Sequence, residues 1–218
     1  MKRVLVCVVL VALALYTAGL ARRHRKTGTP DSAKFDYYLL SLSWAPNYCA
    51  GHPGDRSAEC KPGNHTGFVL HGLWPSSNGD PMQPVNCAPA RPVASDIVRH
   101  MLEYFPDTGL IQHEWEKHGT CSGLPAAQYF VQVEQAYKSV HAPQRYIALD
   151  REQTIDVQQI EQDFSSANHA PEAAFRVSCH TGDLAGVEIC LRKDLKYQTC
   201  PRTARECRSQ QVNLAAPK

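Results

Sequence analysis

Two short stretches hold most of the side chains that could do chemistry: His71-Gly72-Leu73-Trp74-Pro75 and His113-Glu114-Trp115-Glu116-Lys117-His118-Gly119-Thr120-Cys121. Together they supply three histidines, two carboxylates, a lysine and two tryptophans. On a helix, residues four apart share a face, so the second stretch sets His113 over Lys117 and Glu114 over His118. A carboxylate beside His118 would hold its ring and favour the imidazolium form. A lysine beside His113 would make a cationic surface suited to a phosphate. Such a set fits metal-free acid–base work on a phosphodiester. One histidine takes a proton from a ribose 2′-OH and another gives one to the leaving 5′-oxygen. A nearby cation steadies the charge that builds on phosphorus. DNA lacks that hydroxyl and would not react.

A zinc helix is the competing reading of the second stretch. It needs histidines at i and i+4 in a His-Glu-x-x-His pattern. Here Lys117 takes the i+4 place and His118 falls one residue late, and a lysine makes a poor zinc ligand at neutral pH. No Cys-x-x-Cys pair occurs either, so neither a metal nor a cofactor is expected. His71 closes an apolar stretch, Gly72 permits an unusual backbone turn, and Trp74-Pro75 stiffens the exit. Taken alone, His71 and Trp74 would read as a core histidine and a packing tryptophan.

The elements that must position these groups read as α+β. Phe35 to Trp44 is rich in strand formers and apolar on both faces, a central buried strand. Residues 46–66 read as a loop clipped by cysteines, and Gly67 to Trp74 as a second strand. Residues 75–92, with five prolines, form a loop. Asp96 to Phe105 reads as a helix stopped by Pro106, and the second chemical stretch as the start of another. In Ala126 to Val140 the apolar residues Phe130, Val133, Tyr137 and Val140 recur at helical steps. Asp156 and Gln159 match a capping box, with Ile155 and Ile160 as a hydrophobic staple. Strands return at Ala174 to Cys179 and Gly186 to Leu191, and 208–218 reads as a loose tail. Strands and helices are segregated rather than alternating.

The N-terminus reads as an export signal. Lys2 and Arg3 precede an apolar run from Val4 to Leu20, and Ala21 stands at a cleavage-type position. An uncleaved anchor is the alternative. Residues 22–34 read as a flexible leader and 35–207 as a single domain. Of 23 Lys and Arg, two sit in the signal, which leaves a balance against 21 Asp and Glu. A standing basic field is therefore absent, but all ten histidines follow the signal, and acidification would make the chain strongly cationic. Cys7 lies in the signal. The other eight cysteines, Cys49, Cys60, Cys87, Cys121, Cys179, Cys190, Cys200 and Cys207, suit four disulfides in an exported chain.

The motifs carry a resemblance. Phe-Val-Leu-His71-Gly-Leu-Trp-Pro and His113-Glu-Trp-Glu-Lys-His118-Gly-Thr-Cys resemble the two active-site segments of the ribonuclease T2 family. Tyr38-Leu-Leu-Ser-Leu-Ser-Trp44 with Cys49 resembles its first strand, and Val187-Glu-Ile-Cys190 a late one. The match runs from about residue 35 to 207. The resemblance implies a central, mainly antiparallel sheet flanked by helices. It implies disulfides Cys49–Cys60, Cys87–Cys121, Cys179–Cys207 and Cys190–Cys200. It implies an endoribonuclease that forms 2′,3′-cyclic phosphates and then opens them to 3′-phosphates. His118 would be general base and His71 general acid. Glu114 and Lys117 would stabilise the pentacovalent phosphorus, His113 would hold the phosphate, and Trp74 would line the site near base or ribose. The expected partner is RNA, with no DNA and no obligate membrane partner, acted on by a secreted or periplasmic monomer. Many members carry an acidic residue after Trp-Pro that helps recognise the base; this chain has Ser76, which leaves base preference open. The alternative is a binding or storage protein on the same scaffold with catalysis lost, although every motif histidine is retained.

Overall fold

The computed structural model describes residues 35–79, 83–201 and 207–218. The expected signal and leader lie outside these residues. The first strand, β1 (Tyr37–Trp44), is buried on both faces and lies between β2 (Phe68–Ser76) and β5 (Asp183–Leu191), antiparallel to each. β4 (Phe175–His180) pairs antiparallel with β5. β3 (Gln153–Asp156) and β6 (Gln211–Leu214) pair antiparallel with each other, and β6 meets the start of β5 in parallel. The path is β2-β1-β5-β6-β3, with β4 on β5. A mainly antiparallel α+β sheet is thus what the chain builds.

The pleat of β1 divides the interior. Tyr38, Leu40, Leu42 and Trp44 enter the main core, which also holds Ile111, Tyr129, Phe130, Val133, Ile160 and Phe164 from helices. Tyr37 and Leu39 point the other way, into a small cluster with Cys190, against which Trp74 packs. Helices α1 (Ala45–Gly51) and α2 (Ser95–Met101) precede α3 (Thr108–Lys117) and α4 (Ala126–Lys138). α5 (Gln144–Ile147) and α6 (Val157–Asn168) follow. α4 buries Tyr129, Phe130, Val133 and Ala136, a stripe at three- and four-residue steps. Four disulfides, Cys49–Cys60, Cys87–Cys121, Cys179–Cys207 and Cys190–Cys200, join the pairs that the resemblance implies. Among the described residues no helix is long and apolar enough to cross a membrane.

Four local readings need correction. The loop 46–66 begins with a helix, α1, because Pro46 sits in its first turn, where a missing N–H costs nothing. The second chemical stretch ends a helix rather than starting one: α3 begins at Thr108, and Asp107 caps it by accepting from the Leu110 N–H at 2.9 Å. Asp156 makes no side-chain cap at α6, since its carboxylate accepts from Gln211 of β6 instead. The tail is not loose. Val212 and Leu214 are fully buried, and their strand ties back through Asn47, whose amide donates to Leu184 and Asn213 carbonyls and whose oxygen accepts from the Ala215 N–H.

Candidate active site

The site begins with an irregularity in the sheet. Ser41 stands opposite Gly72 and Leu42 opposite Leu70, so His71 has no residue facing it across the strands. β1 keeps an unbroken register with β5 through the same stretch, so the extra residue belongs to β2. Such a bulge re-aims a side chain. It lets Leu70 and Leu73, three residues apart, both enter the main core, and it turns His71 toward β1. There Ser43 Oγ lies 3.0 Å from His71 Nδ1.

α3 brings up the second set. Glu114 faces inward and is fully buried, while His113 on the same helix stays exposed. Its carboxylate accepts a 2.7 Å hydrogen bond from the Trp74 indole N–H through Oε2. Its other oxygen, Oε1, stands 3.6 Å from His71 Nε2 and accepts no hydrogen bond. Gly72 makes room for this: a Cβ there would fall on the Glu114 carboxylate. The helix ends at Lys117. His118 is its C-cap, held by its own N–H to the Glu114 carbonyl at 3.0 Å. Its ring is buried and stacks on Trp74, centroids 4.9 Å apart and planes 26° apart. His71 meets the same indole edge-on at 5.5 Å. One tryptophan therefore touches both histidines and bonds the carboxylate between them.

A tight turn follows, Gly119–Ser122, wholly buried. Gly119 lies against Trp115 and Tyr129 with no space for a side chain. Cys121 bonds back to the His118 carbonyl through its N–H at 2.9 Å, and its disulfide to Cys87 pins the turn. The Asn86 N–H adds a 2.8 Å bond to the Lys117 carbonyl.

Burial pushes the Glu114 carboxyl up to about 7, while the Trp74 N–H and the Lys117 charge pull it the other way. His71 is pushed down, first by desolvation and then by the His113 and Lys117 charges. Its ring is only partly sealed, with 40% of the side chain still meeting solvent, so water softens that shift.

The structure thus assembles His71, Trp74, Glu114 and His118 in direct contact, with His113 and Lys117 close enough for their charges to act on His71. One detail differs from the sequence reading. The Glu114 side chain bonds Trp74 rather than the His118 ring, because the bulge brings the indole into the space between them. Ser76 is fully buried, and its hydroxyl donates to the Trp74 carbonyl. Sequence reasoning missed Ser43. Its signal was the pair Ser41 and Ser43, polar on one face of an otherwise apolar strand. A cavity of about 650 Å³ opens beside His71, walled by Ser43, Tyr48, Glu59, Asp107, His180 and Leu184 among others.

The Ribonuclease T2 family profile matches residues 35–200. The chain belongs to the ribonuclease T2 family. A ribonuclease of Aeromonas hydrophila is 43% identical over 94 residues, which is 43% of this chain and 41% of that one. Ribonuclease T2 of Sus scrofa is 28% identical over 181 residues, 69% of this chain and 86% of that one. The chain spans about half the length of the first curated relatives it matches. Among solved structures, an RNase-related protein from Calystegia sepium superposes with a TM-score of 0.68 at 25% identity, covering 85% of this chain and 99% of that one. As a ribonuclease T2 family member, the chain has both of its histidine segments within the matched region.

Proposed function

We propose that this chain is a metal-independent endoribonuclease acting on single-stranded RNA. The observation that carries the reading is the single indole that stacks on His118, meets His71 edge-on and bonds Glu114. It holds two acid–base groups and a buried carboxylate around one small space. In this reading His118 takes the 2′-OH proton, and the 2′-oxygen attacks phosphorus. His71 gives a proton to the departing 5′-oxygen. Lys117 and His113 balance the phosphoryl charge, and Glu114 acts with Lys117 on the pentacovalent state. The phosphate's negative charge favours the imidazolium form of His71 and so offsets the downward push that the ring feels in the unliganded site. The cavity beside His71 gives room for the nucleoside leaving on the 5′-oxygen. Products are 2′,3′-cyclic phosphates, opened afterwards to 3′-phosphates. DNA is not a substrate, and the enzyme works as an exported monomer, a compartment that four disulfides suit.

The test is RNA digestion in EDTA across pH, with product ends identified. Cleavage to cyclic phosphates is expected, and His118→Ala should lower kcat by about 10²–10⁴-fold, the usual loss for a general base. Activity that disappears in EDTA and returns with a divalent metal would reject the reading.

A further inference from the structure

His71 occupies a bulge, so no residue of β1 is paired opposite it in the ladder. Two polar side-chain contacts hold it instead: Ser43 Oγ at Nδ1, 3.0 Å away, and Glu114 Oε1 at Nε2, 3.6 Å away. Only the first is within hydrogen-bond distance. The nitrogen of a histidine that carries the proton is set by the bond its other nitrogen makes. Ser43 therefore stands where that choice is made.

We propose that Ser43 is a positioning residue that accepts a hydrogen bond from His71 Nδ1–H and thereby confines the transferable proton to Nε2. The proposal rests on the ribonuclease reading above and goes beyond it. In the imidazolium, Nδ1–H donates to Ser43 and Nε2–H faces the leaving oxygen. As the phosphorus–oxygen bond breaks, the Nε2–H bond breaks with it and its electron pair stays on Nε2. The proton forms the new O–H bond of the 5′-hydroxyl. The ring is left as the neutral Nδ1–H tautomer, with its bond to Ser43 unchanged. No ring rotation or second proton shift is needed. The opposite arrangement, Ser43 donating to Nδ1, would leave a neutral Nε2–H ring, which could give up its proton only by becoming an imidazolate.

Long-range proton–nitrogen correlation spectra of the whole chain, near pH 8, read the tautomer directly. His71→Gln assigns the signals. The wild type is expected to carry its proton on Nδ1, and Ser43→Ala to move it largely to Nε2. With a dinucleoside monophosphate, Ser43→Ala should lower kcat about tenfold with KM within about twofold, Ser43→Thr should restore it to within about threefold, and Ser43→Val, isosteric with that threonine but without the hydroxyl, should not. An Nε2–H ring in the wild type, or an unchanged tautomer and kcat in Ser43→Ala, would overturn the proposal. A wild type that cleaves no RNA overturns the ribonuclease reading instead. The two failures are told apart because the spectra report the Ser43–Nδ1 bond without substrate.

Discussion

Gly72 and Glu114 occupy adjoining space that admits no other side chain: the Cβ of any other residue at position 72 would overlap the Glu114 carboxylate. The backbone at Gly72 does not need glycine's left-handed freedom, since Gly72 is not among the positive-φ residues. What it supplies is room. Because Glu114 is fully buried, the carboxylate cannot swing aside into solvent, and its bond to Trp74 depends on that room.

Gly72→Ala should therefore push Glu114 off the Trp74 indole while leaving the sheet folded. We expect a loss of about 1–3 kcal/mol in stability from overpacking and a fall in kcat of roughly a hundredfold or more. Thermal unfolding and steady-state kinetics on the same preparation check both. Near wild-type turnover would show that the Glu114 position does not matter.

Trp74→Phe keeps the ring against His118 but removes the indole N–H. That N–H pulls the Glu114 pKa down, so its loss should raise the carboxyl further. A hydrogen bond to a charged buried group is worth about 1.5–3 kcal/mol. The variant should be destabilised by about that much near pH 8, and much less near pH 5, where Glu114 is protonated in both proteins. Equal destabilisation at the two pH values would contradict this.

Glu114 itself sets a pH dependence. Its folded pKa of about 7 lies above the ordinary 4.5, so the folded state binds the proton more tightly than the unfolded one. The penalty for holding the ionised carboxylate is absent below about pH 4.5, grows between the two values, and is complete above about 7. Glu114→Gln should thus be more stable than wild type near pH 8, by about 3 kcal/mol, and no more stable near pH 4.5. Cleavage should be impaired throughout. Melting curves at the two pH values decide it, and a variant less stable at both would refute it.

Cys87–Cys121 pins the turn that follows His118 and closes a loop with a sequence separation of 34. Replacing both with alanine should cost about 4 kcal/mol by the loop-entropy argument and lower kcat as well. Replacing Cys190 and Cys200, which are separated by only 10 residues, should cost less stability. A paired comparison of melting and kinetics tests the difference.

Much of this was legible in the sequence because it is local. The stripe of α4 showed as three- and four-residue steps, and the double-faced burial of β1 showed as an apolar run. The bulge was harder to see, because it is a relation between two strands. Its trace is the apolar pair Leu70 and Leu73, which breaks the alternation a regular strand would keep. β6 was missed because four residues, Gln211 to Leu214, are too few for alternation to stand out from a polar tail. Asp156 has the right spacing for a cap, but β6 supplies Gln211 as a competing partner. For the site, the two motifs named the residues that meet. Spacing on a helix paired Glu114 with His118, yet the contact that formed was decided by Trp74 arriving from another strand.

The one-residue excess at His71 implies an opposition between regular pairing and chemistry. With His71 deleted, Leu70 and Gly72 would become neighbours. Gly72 would remain opposite Ser41, and Leu70 opposite Leu42. Leu70 and Leu73 would then face the core by simple alternation. The shortened strand pair would be the more regular one, and it would have lost the histidine that the proposed mechanism uses as proton donor. At this point in the chain, selection for an orderly ladder and selection for a reactive ring ask for different lengths of strand.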